Sequence, residues 1–260
     1  MLGKLMKYEL IAMGRVFLPM FGALIIISIV NAILGQFGEL TTPRAIAIFV
    51  SVLLIIGIVV IVYVVTLQRF WTNLMSNEGY LMMTLPVSID KIILSKLFVA
   101  TIWSIVSYIV VIASILIMSS AEVNWLTTEL WIYAQIPFTG HEITLIIIAS
   151  VVMLIVSSFA NILILYACMA LGMMTNKYRI LVAVAAYIAI MTIMQIVIAV
   201  AIGLTAALGG FEAFERWANS LSTFGGMHAM IWSITGLSAI LCAIFYTITR
   251  FMMSRRLNLQ

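Results

Sequence analysis

The side chains best suited to acid–base or metal chemistry are few here: two histidines, two cysteines and nine carboxylates in 260 residues. A hydrolase or transferase needs such groups to converge at one depth. His141 and His228 lie far apart in the chain, with no carboxylate constellation beside either. Cys168 and Cys242 have no metal-ligand spacing and read as small apolar fillers with free thiols. No G-x-x-x-x-G-K-[ST] loop occurs, so any ATP chemistry must come from a separate chain. The expectation is a protein that binds no cofactor and holds no metal or catalytic group of its own.

What could position polar groups is a set of six apolar runs, about Val16–Leu34, Ala45–Leu67, Leu97–Met118, Ile143–Met174, Ile180–Leu208 and Met230–Thr249. Each has at least about 19 residues, or about 28 Å of helix, against a hydrocarbon core of about 30 Å. With 65% hydrophobic and 8% charged residues, the fold class is an all-α integral membrane protein of six transmembrane helices, one domain over residues 1–260 with no soluble domain. The first run follows basic residues as a signal peptide would. It is too long for one, and no small-residue cleavage site follows it, so it reads as a retained span.

Basic residues fall on alternate connections. Lys4, Lys7 and Arg15 precede the first run, and Arg69, Lys91 and Lys96 lie between the second and third. Lys177 and Arg179 lie between the fourth and fifth, and Arg250, Arg255 and Arg256 follow the sixth. Only Arg44 and Arg216 fall on the other side. The positive-inside rule therefore places both termini in the cytoplasm. The net charge of +4 sits at membrane borders, where it faces lipid headgroups and not nucleic acid.

Inside the six runs there is no Lys, Arg, Asp, Glu or His, which argues against an ion-coupled pump built on intramembrane carboxylates. The strongest polar residues at mid-depth are Asn161 and Gln195, on consecutive runs. They read either as an interhelical hydrogen-bonded pair or as part of a polar path. Asn31 lies near the outer border, where a polar side chain costs little.

The segment before the first run is amphipathic. Lys4, Lys7 and Arg15 share one side, and Leu2, Leu5, Met6, Leu10, Met13, Val16 and Phe17 gather opposite. This predicts an interfacial helix before the chain turns into the membrane, with Pro19 either starting the transmembrane helix or kinking it. Glu9 falls in the apolar arc. It must pair with a lysine, sit on a rotated helix, or contact a cytoplasmic partner.

Between the second and third runs, Asn77-Glu78-Gly79 is a turn, Tyr80–Leu85 is short and apolar, and Pro86 stops it. Ser88 is placed to cap a new helix with Asp90 in its first turn. On the outer side, Trp125, Trp131, Tyr133 and Phe138 predict an interfacial stretch. Phe211, Phe214, Trp217 and Leu221 predict a short amphipathic helix flanked by Gly209-Gly210 and Gly225-Gly226.

The stretch from Asn77 to Ser88, with Ile93-Leu94-Ser95-Lys96-Leu97 after it, resembles the first cytoplasmic loop of ATP-binding-cassette (ABC) exporter permeases of the second permease class. Many of these occur in Gram-positive bacteria. Lys7-Tyr8-Glu9-Leu10 resembles that family's opening helix. The resemblance implies a permease half in a bacterial plasma membrane. It implies two copies of a cytoplasmic ABC ATPase as partners, with ATP and Mg bound there. It also implies a second permease half, identical or related. Glu78, Gly79, Tyr80, Leu81, Leu85 and Pro86 would form the coupling helix that enters the ATPase, and the exported substrate would be a drug, antimicrobial peptide or lipid. The alternatives are a secondary transporter, a membrane assembly subunit and a membrane-embedded enzyme.

Overall fold

A chain of Ile, Leu, Val and Ala crossing lipid must satisfy every backbone N–H and C=O within itself, and a single span does so only as a helix. The computed structural model describes residues 2–36, 42–75, 89–119, 139–175, 178–210, 212, 216–217 and 220–255. Among these the secondary structure is helical. The helices are α1 (Leu2–Gly35), α2 (Thr42–Met75), α3 (Ile89–Ser119), α4 (Gly140–Gly172), α5 (Arg179–Ala207) and α6 (Thr223–Arg255). All six are long and apolar enough to cross a membrane, which makes this a multi-pass membrane protein. At 29 to 34 residues they measure about 44–51 Å, so they must tilt or project beyond a 30 Å core.

Hydroxyls in these helices are mostly satisfied at home. Ser28, Ser51, Thr66, Thr101 and Ser107 each donate to the carbonyl four residues earlier. That removes the penalty of a bare hydroxyl in an apolar setting.

Chain contacts divide the molecule into two units, residues 1–72 with 90–137, and 73–89 with 138–260. The first holds α1, α2 and α3. Its core joins Met13, Phe17, Phe21 and Leu24 of α1, Ile58 and Val62 of α2, and Val99 and Trp103 of α3. Phe17 meets Trp103 edge-on, with ring centroids 5.2 Å apart. Gly14 makes room for that ring, since a Cβ there would lie 3.0 Å from it.

The N-terminal segment is not a separate element. Leu2–Arg15 forms the first turns of α1, which runs unbroken through Pro19. The buried stripe Met13, Phe17, Phe21, Leu24 crosses the proline at helical spacing, so both sides of it pack on one wall.

In the second unit α4 packs against both α5 and α6. Thr139 and Glu142 form a capping box at the start of α4, with Thr139 N donating to Glu142 Oε2 at 2.8 Å. From Ala160 to Gly172 most of α4 is buried. Its link to α5 is tight: a Cβ on Gly172 would lie 2.5 Å from the Arg179 carbonyl oxygen. Ser157 Oγ and Ser238 Oγ, 3.2 Å apart, join α4 to α6. On α5 only Ala183 is buried.

Between α5 and α6, Gly210, Glu212, Arg216, Trp217 and Ser220 are helical. Gly225 and Gly226, read from sequence as flanking that stretch, are themselves helical. They lie in the first turn of α6, because Ser222 caps it: Gly225 N donates to Ser222 Oγ at 3.1 Å.

Candidate functional site

A heavily buried charge pair lies in the first unit, at the end carrying Lys7, Arg15 and Arg69. Lys96 Nζ is 2.9 Å from Glu9 Oε1, and the two side chains are 5% and 17% exposed. On α3, Ile92, Ile93 and Ser95 before Lys96 and Leu97 after it are buried as well. Glu9 lies between half-buried Met6 and Leu10, which pack on the unit's core. Arg69 of α2 adds a second positive charge whose field reaches Lys96. Two turns further along, Phe17 of α1 meets Trp103 of α3. The ion pair and the aromatic pair therefore fix one parallel register between these helices.

Of the readings of Glu9, pairing with a lysine is the one the structure realises. Its lysine is 87 positions away in sequence, not a neighbour on the same helix. The amphipathic wheel could flag Glu9 as misplaced. No local pattern could name Lys96, because only tertiary packing brings the two together.

The two mid-depth polar residues are not joined. Asn161 Nδ2 donates to Ser157 O at 3.0 Å within α4, and Asn161 is exposed. Gln195 is exposed on α5. An amide can bond its own helix one turn back, which removes the need for a partner on the next span. Asn31, expected to sit cheaply at a border, is instead 2% exposed. Its Nδ2 donates to Ser51 Oγ at 2.7 Å and so ties α1 to α2. Sequence reading missed this because depth along a span does not reveal which face meets a neighbour.

His141 is exposed in the first turn of α4. His228 Nε2 accepts from Trp232 Nε1 at 3.2 Å, and Phe224 stacks on the imidazole, all on α6. Cys168 is buried, and Cys242 Sγ contacts Val156 O at 3.6 Å. Both thiols are free, as their sequence setting predicts. Among the described residues, no group of His, Cys, Asp and Glu could hold a metal ion. Glu78, Gly79, Tyr80, Leu81, Leu85 and Pro86 lie outside the described residues.

No protein-family model, curated protein or solved structure matches this chain.

Proposed function

We propose that this chain is the membrane permease subunit of an ATP-driven ABC transporter. It would export a hydrophobic or amphipathic substrate while a separate cytoplasmic subunit hydrolyses ATP. The observation that carries the reading is the Glu9–Lys96 pair. It joins two of the sequence segments that carry the resemblance beside Asn77–Ser88, namely Lys7–Leu10 and Ile93–Leu97, at one end of the first unit. Six membrane-capable helices support it too.

In this reading the basic ends of the helices face the cytoplasm of a bacterial cell, by the positive-inside distribution. The first turns of α1 lie at the inner interface, and the helical stretch before α6 lies at the outer one. Glu78–Pro86 is the coupling element that docks on the ATPase. Asn161 and Gln195, exposed and not bonded to each other, are available to a path or to a second permease half.

The test is purification of the tagged chain from its native membranes. The expected complex contains two membrane subunits and two ATPase subunits that hydrolyse ATP. A transport-active chain with no ATPase would refute the reading.

A further inference from the structure

We propose that the outward face of α1 binds an anionic phospholipid from the leaflet at the basic end of the helices. Lys7 and Arg15 would hold its phosphate, and the apolar stripe beyond them would hold an acyl chain. Such binding needs no ATPase and stands apart from the transport reading. Lys7, Ile11, Arg15, Leu18, Gly22 and Ile26 fall three or four positions apart, so they share one face of a continuous helix. All but Gly22 are exposed. A Cβ on Gly22 would meet nothing within 4 Å, which leaves a shallow notch between Leu18 and Ile26. From Gly35 back to Arg15 is about 20 residues, or about 30 Å of helix, the thickness of the hydrocarbon core. Arg15 therefore lies at the edge of the core, and its side chain leans toward the helix N-terminus, into the headgroup layer. Tyr8, exposed beside Lys7, is of the aromatic type found at headgroup depth.

The Glu9–Lys96 pair is what leaves this face purely cationic. Glu9 is the only acidic residue of α1, and it is turned inward onto Lys96 of α3. The outward face keeps Lys7 and Arg15 with no carboxylate among its exposed residues. Anionic headgroups are drawn to such residues at a membrane border. The alternatives match only part of the face. A second copy of the chain packed symmetrically on it would set Lys7 and Arg15 against their own images, and like charges repel. A water-soluble acidic protein could reach Lys7, but Leu18, Gly22 and Ile26 lie within the core and stay beyond it. A phospholipid matches both parts. Its phosphate lies at the depth of Arg15, and its chain runs from Leu18 to Ile26, about 12 Å and within the half of the core that one leaflet supplies.

The test uses the full chain in nanodiscs of equal phosphatidylglycerol and phosphatidylcholine with identical acyl chains. Cys168→Ala and Cys242→Ser remove the native thiols, and Ile11→Cys, between Lys7 and Arg15, carries a photoreactive label. Mass spectrometry of the crosslinked chain reads the ratio of phosphatidylglycerol to phosphatidylcholine adducts. Each cation at an anionic surface is worth about fivefold, so with Lys7 and Arg15 in place the expected ratio is on the order of 25. Lys7→Gln/Arg15→Gln should bring it near parity and leave thermal unfolding unchanged, since both side chains are exposed. Lys91→Gln removes an exposed basic residue of α3 and should keep most of the preference, and excess glycerol phosphate should not compete. A ratio near one with Lys7 and Arg15 in place would overturn the proposal, as would a preference that survives Lys7→Gln/Arg15→Gln. Adducts to a second copy of the chain in place of lipid would overturn it too. So would full loss of the preference in Lys91→Gln, which would mark a diffuse field, or with glycerol phosphate, which would mark a site for free phosphate.

Discussion

Lys96 Nζ lies 2.9 Å from Glu9 Oε1 across 87 residues of sequence, and only 5% of the lysine side chain is exposed. Both residues sit near the basic ends of helices that are otherwise apolar. The pair thus makes a polar joint within the first unit. Its energetics differ sharply between removing one partner and removing both.

Lys96→Met alone takes the buried lysine from the Glu9 carboxylate and should destabilise the first unit by about 3 kcal/mol, the lower end for a broken buried pair because Glu9 is 17% exposed. Glu9→Met/Lys96→Met should fall within about 1 kcal/mol of the original chain. Unfolding of both variants in the same detergent checks this. Equal losses in the single and double variants would mean that packing, not charge, dominates the joint.

Gly172→Ala is expected to destabilise the α4–α5 link by about 1–3 kcal/mol. A Cβ there would lie 2.5 Å from the Arg179 carbonyl oxygen and 2.9 Å from the Ala183 Cβ. Gly57→Ala is the matched control, because a Cβ there meets nothing within 4 Å. It should be neutral or stabilising by up to about 1 kcal/mol, since alanine narrows the unfolded ensemble and favours helix.

Asn31→Leu removes a bond that ties α1 to α2 and should cost about 1 kcal/mol. Ser51 keeps its own bond to Ala47 O at 2.9 Å, so Ser51→Ala in the Asn31→Leu background should add little further loss. A double-mutant cycle on unfolding free energy measures the coupling. Zero coupling would contradict the bond.

Asn161 and Gln195 should behave oppositely. No hydrogen bond joins them, so a cycle built from Asn161→Leu and Gln195→Leu should give a coupling below about 0.5 kcal/mol. A larger value would restore the interhelical pair that their depths in the sequence first suggested.

Much of the fold was legible because length and composition decide a membrane span almost alone. The six runs each fall within one of α1 to α6, apart from two residues past the end of α4 and one past the end of α5. Asp90 lies in the first turn of α3, with Ile92, Ile93 and Leu97 buried just beyond it. Helix continuity was less legible. The amphipathic wheel suggested an interfacial helix ahead of the span, whereas Leu2–Gly35 is one helix with Pro19 inside it. Gly225-Gly226 looked like a flank until Ser222 proved to be a cap. Side-chain partners were the least legible. Asn31, Glu9 and Lys96 each needed a neighbouring helix to give them a role, and hydropathy carries no record of which helix that is.

Orientation is open to a simple check. With Cys168 and Cys242 replaced, cysteines introduced at Leu2 and Gln260 should resist an impermeant label added outside intact cells. Cysteines at Thr127 and Ser222 should react. The reverse pattern would contradict the orientation and with it the placement of segment 76–88.

The most direct measurement of the proposed function is ATPase association with Leu81→Asp. The permease reading expects the substituted chain to stay folded in the membrane yet to lose the co-purifying ATPase and all transport-linked ATP hydrolysis. Full ATPase binding and full transport by Leu81→Asp would contradict it.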